Sequence, residues 1–97
     1  MSNLKIKNYM EDRVTEMLPI VLKNMDICKC ERCQMDILAY ALNNLPPRYV
    51  VTRTGHLYSK LEAMYSQFDA DIITAVTNGA KIIGANPRHD ADDDDNN

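Results

Sequence analysis

A chain of 97 residues, 45% of them apolar, has material for one core and excludes a multidomain architecture. Its formal charge of −3 conceals a division: five of the 14 acids (Asp90, Asp92, Asp93, Asp94 and Asp95) sit in the terminal run DADDDDNN, and the other 9 face 11 basic side chains, a balance of about +2. No run of 18 apolar residues could span a membrane, MSNLKIKNYMEDR lacks the apolar stretch of a signal peptide, and three cysteines within six residues make no secreted disulfide framework, so the expected compartment is the cytoplasm.

In chain order, Val14, Met17, Leu18, Val21, Leu22 and Met25 step by three and one, which draws an apolar stripe along a helix from about Asn8 to Asn24. Pro19 lies inside that stripe and is expected to kink it, because its ring removes a donor and crowds the preceding turn. CKCERC follows. A second helix is predicted from Glu31 to Asn44, with Ile37, Leu38, Ala41, Leu42 and Leu45 on one side and Pro46-Pro47 as its stop. The β-branched stretch RYVVTRTG reads as an extended connector, too short to form a sheet alone. Ser59 with Glu62 forms a capping-box pattern that opens a third helix carrying Leu61, Met64, Tyr65 and Phe68. Ser66 with Asp69 restarts a helix through Ile72, Ile73, Val76, Ala80 and Ile83, with Gly84 and Pro87 as stop signals. The expected architecture is all-α: a compact four-helix domain over residues 1–89 with a short extended linker, then a disordered acidic tail over 90–97.

Two constellations could carry chemistry. Cys28, Cys30 and Cys33 form a C-x-C-x2-C cluster; thiolates favour zinc, and one short loop can wrap them round a tetrahedral ion. A closed site wants a fourth ligand, for which His56, His89, Asp26 or a group from another subunit are candidates. Three metal-free thiols at a helix start is the plainer alternative. Lys29 and Arg32 would favour thiolates in either case, and a thioredoxin-type redox role lacks its βαβ setting.

The second constellation is LPPRYV with Arg53, His56, Tyr58 and Lys60, lying in a stretch between Ile37 and Leu61 that contains no Asp or Glu. Arginine forks suit phosphates and aromatic rings suit bases, so Arg48, Tyr49, Arg53 and Lys60 are the candidate ligand contacts. The alternative is that Pro-Pro merely ends a helix and Tyr49 fills the core. Most of the six methionines fall on apolar stripes and are expected in the core or at a dimer contact. No nucleophile paired with a base, phosphate-cradling glycine loop or H-E-x-x-H motif occurs, so no enzyme is expected.

The succession CKCERCQMDILAYALNNLPPRYV, Ser59-Lys60-x-Glu62, DADIITAV and NPRH resembles the late-competence ComFB family over roughly Asn8 to His89. That resemblance implies an all-helical homodimer whose metal-binding cysteines match Cys28, Cys30 and Cys33. It also implies a regulatory receptor for a cyclic dinucleotide, such as cyclic di-GMP or cyclic di-AMP, linked to competence or motility. A protein-interaction adaptor with a structural zinc and no small-molecule ligand is the competing expectation. DNA binding is disfavoured by the low positive charge of the folded part and by the acidic tail.

Overall fold

In the computed structural model of the protein, the described residues are 4–53 and 66–87. The elements are strand β1 (Leu4–Asn8), helix α1 (Tyr9–Leu22), helix α2 (Glu31–Asn43), strand β2 (Tyr49–Arg53), a 3-10 turn (Ser66–Phe68) and helix α3 (Asp69–Ala85). The three helices bury one core. Val14, Ile37, Ile72, Val76, Ala41 and Ala80 are fully shielded from solvent, with Met10, Met17, Leu18 and Leu22 close behind. All but Met10 are residues that helical periodicity put on the inner stripes, and their burial drives helix association. α1 runs unbroken through Pro19, which is exposed.

The all-α, four-helix expectation is corrected here. β1 and β2 pair antiparallel, with Leu4 opposite Arg53, Ile6 opposite Val51 and Asn8 opposite Tyr49, so RYVVTR is half of a sheet and not a connector. The physical reason is a partner more than forty residues upstream: LKIKN alternates apolar and cationic side chains with a period of two, which a β-branched strand can complete. The described residues hold three α-helices. Of the expected third helix only Ser66–Phe68 falls within them, and it forms a single 3-10 turn. Gly84 does not stop the last helix, which continues to Ala85 before Asn86 and Pro87.

The ribbon is amphipathic in an unusual sense. Thr52 is buried and Val50 packs on the core, while the opposite face exposes Leu4 (51%), Ile6 (70%), Tyr49 (63%) and Val51 (66%). At its base, the Asn8 carboxamide oxygen caps α1 by accepting from the Met10 N–H at 3.1 Å and also accepts from the Arg48 N–H at 2.9 Å. The Tyr9 N–H donates back to the Arg48 carbonyl at 2.7 Å. One side chain thus starts a helix and sets the entry to β2. Asn8→Ala is expected to lower unfolding stability by about 1–2 kcal/mol, read as an earlier urea midpoint, while Asn8→Asp, which keeps an acceptor, loses far less.

Candidate functional site

The cysteine cluster sits where the α1–α2 connection enters α2. Cys30 is the N-cap of α2 with extended backbone (φ −67°, ψ 165°), and its Sγ accepts the Cys33 N–H at 3.4 Å. Cys28 lies two residues earlier in the connection, half-buried, while Cys30 is exposed and Cys33 is buried on the inner side of the first turn. The three Sγ atoms lie within 4.8 Å of one another. With metal–thiolate bonds of about 2.3 Å, a tetrahedral ion would hold sulfurs about 3.8 Å apart, so a small closure of the loop completes a three-sulfur face.

The connection is pinned on both sides of the cluster. Lys29 Nζ donates to the Lys23 carbonyl at 3.4 Å, a cation at the C-terminal end of α1, and Gln34 Nε2 donates to the Lys29 carbonyl at 2.5 Å. Arg32 pairs with Asp36 at 3.3 Å. Lys29 thus reaches back to the end of α1 and Arg32 pairs along α2, both from within the segment that carries the sulfurs. Ile27 leans on Gly84 of α3 so closely that a Cβ there would meet Ile27 Cγ2 at 2.8 Å, which seats the loop against the last helix.

Burial, and then hydrogen bonding with Cys28 and Cys30, pushes the Cys33 thiol up to about 12. Without a cation this sulfur keeps its proton at neutral pH; a soft metal ion would displace it and supply the charge that burial otherwise penalises. The donor set therefore fits a thiophilic cation. Asp26 is exposed and does not join the converging donors, and His56 and His89 lie outside the described residues.

The second constellation is partly assembled. The Arg48 guanidinium stacks 4.3 Å from the centroid of the Phe68 ring, and its Nη1 donates to the Pro47 carbonyl at 3.1 Å. Tyr49 is exposed on β2, which removes the alternative that it fills the core. Arg53 occupies the register position opposite Leu4, while Tyr58, Lys60 and the acidic tail lie outside the described residues. Sequence reasoning missed Phe68 as the platform for Arg48, since a lone aromatic on an apolar stripe reads as core. It also missed a groove between α2 and α3 whose only signal was Gly79, a glycine inside a helix and hence a mark of close approach.

This chain is similar to known proteins in both sequence and fold. Residues 7–87 match the family described as late competence development protein ComFB. The competence protein ComFB of Bacillus subtilis (strain 168) is 30% identical over 60 residues, 62% of this chain; the match spans 61% of that relative, less than two thirds of its length. The solved structure of the late competence protein ComFB from Bacillus subtilis superposes with a TM-score of 0.71 at 26% identity, covering 87% of this chain and 96% of that one.

Zinc added to metal-free protein at pH 7 is expected to bind at about one ion per chain and to release protons, detectable with a pH indicator in weak buffer. Cys30→Ser should lower both the zinc content and the proton yield. Unchanged values on that substitution would place the ion elsewhere.

Proposed function

This chain belongs to the late competence ComFB family, and from that premise we propose that it is a non-catalytic regulatory receptor for a cyclic dinucleotide, its fold braced by zinc on Cys28, Cys30 and Cys33. The observation that carries the reading is Arg48. Its guanidinium is held in place by Phe68 and by Pro47, within a stretch free of acids from Leu38 to Lys60. Stacking occupies a face of the guanidinium plane and Pro47 takes one N–H, so the edge of the fork can meet a phosphate. A prearranged cation lowers the ordering cost of binding. Tyr49, one residue on, offers an exposed ring to a base, and Arg53 and Lys60 are the further cations of the proposed contact set.

A twofold ligand suits a twofold protein, in which each copy contributes the same residues. The exposed apolar face of Leu4, Ile6, Tyr49 and Val51 favours a homodimer, since two such faces exclude water only by meeting each other or another protein. The same face favours the second reading, an adaptor that binds a protein partner and no nucleotide. The cytoplasm, with a link to competence or motility, is the setting this proposal implies.

Calorimetry separates the two readings. With zinc-loaded protein, cyclic di-GMP or cyclic di-AMP is expected to bind, and Arg48→Ala to weaken the affinity at least about tenfold without changing zinc content. No heat from either nucleotide up to about 100 μM would overturn the receptor reading, and a pulldown indifferent to Arg48→Ala would favour the adaptor. Light scattering is expected to give the mass of two chains, falling to one with Ile6→Lys and an unchanged circular dichroism spectrum.

A further inference from the structure

The groove between the end of α2 and the first half of α3 has no part in the chemistry described above. This open groove holds about 320 Å³ and is lined by Tyr40, Asn44, Asp71, Thr74, Ala75 and Asn78, with Leu45 and Pro46 also in its wall. That volume lies at the lower limit of small-molecule sites, near 300 Å³, and suits a single heterocycle better than a whole dinucleotide. Its wall is rigid. A Cβ at Gly79 would stand 2.8 Å from Tyr40 Cδ1 and 3.3 Å from Cγ, so the ring leans directly on the α3 backbone, where only glycine permits the approach. Asn44 is fixed as well, its Nδ2 donating to the Tyr40 carbonyl at 2.8 Å.

The lining chemistry is selective. Among the described residues it joins an aromatic ring and small apolar surface to two carboxamides, a hydroxyl and one carboxylate, with no lysine or arginine. Among those residues phosphate has no cation to meet and would face Asp71. A flat base with hydrogen-bonding edges has what it needs: an apolar face to cover and amides to pair with. The carboxylate adds a direction. Guanine presents the N1–H and N2–H donors side by side, which a carboxylate accepts together, whereas adenine offers it only the N6 amino group.

The groove also adjoins the cation. Pro46 lines it, Pro47 accepts from Arg48, and Phe68, under the Arg48 guanidinium, precedes Asp71 by three residues. We propose that this groove is the base subsite of the receptor, taking a purine with a guanine-type edge while Arg48 meets the adjoining phosphate. The assignment rests on the receptor reading and adds to it a location and a preference.

Titration of zinc-loaded protein with cyclic di-GMP and with cyclic di-AMP, wild type beside Asn78→Leu and Asp71→Asn, tests it. The wild type is expected to bind the guanine ligand about tenfold or more tighter; Asn78→Leu should weaken both ligands, and Asp71→Asn should shrink the preference. Side-chain amide resonances of Asn44 and Asn78 in the wild type should shift on ligand addition, a readout independent of whether either variant folds. Wild-type binding with those resonances unmoved, or with unaltered affinity and preference in both folded variants, overturns the groove assignment and leaves the receptor standing. An adenine preference overturns the role of Asp71. Absence of binding by the wild type overturns the receptor reading and the groove with it.

Discussion

The seam between α2 and α3 is the constraint from which the rest of the architecture hangs. α3 packs more extensively on α2 than on any other described element, and its stripe of Ile72, Val76 and Ala80 is closed off from solvent in one cluster with Ile37 and Ala41. Two glycines set how near the helices come: Gly79 admits the Tyr40 ring and Gly84 admits Ile27. Because packed interiors are not continuously deformable, a seam this close leaves little freedom to slide. α1 is tied to the start of α3 by a two-pronged ion pair, Arg13 Nε and Nη2 to Asp69 Oδ1 and Oδ2 at 3.1 and 2.7 Å. Tight packing thus decides which loops come together at each end.

The cysteine cluster stands at one end of the seam and the arginine loop at the other. Ile27, beside Cys28, is set by the last turn of α3; Arg48, beyond the far end of α2, is set by Phe68 just before the first turn of α3. A bound cation would fix the start of α2, and α2 is the lever arm joining that start to Asn44 and Pro46. The cysteine cluster and the proposed ligand contacts are separate in space and joined by one helix.

How much of this was readable from the residues depends on the range over which each signal acts. The helices were legible because a stripe such as Val14, Met17, Leu18 and Leu22 reports burial locally, and α1 and α2 fall within a residue or two of the expected limits. The cysteine cluster was legible for the same reason: three ligands within six residues must be neighbours. The sheet was not, because YVVTR has no partner nearby and LKIKN, with two lysines, reads as a polar start. Tyr49 and Val51 then turned outward, since the register places Thr52 and Val50 inward. The Arg48–Phe68 stack and the groove both join residues on separate elements, so only the folded chain could reveal them.

Arg48 is fastened at both backbone atoms by the chain forty residues before it: its N–H to the Asn8 side chain and its carbonyl to the Tyr9 N–H. A miniaturised fragment spanning the cysteines and the Pro-Pro-Arg-Tyr stretch alone would therefore keep Cys28, Cys30, Cys33, Arg48 and Tyr49 and still lose what holds the arginine in place. The amino-terminal strand serves the arginine as scaffolding through that residue's backbone, and any redesign that shortens the protein must begin after deciding what will replace Asn8.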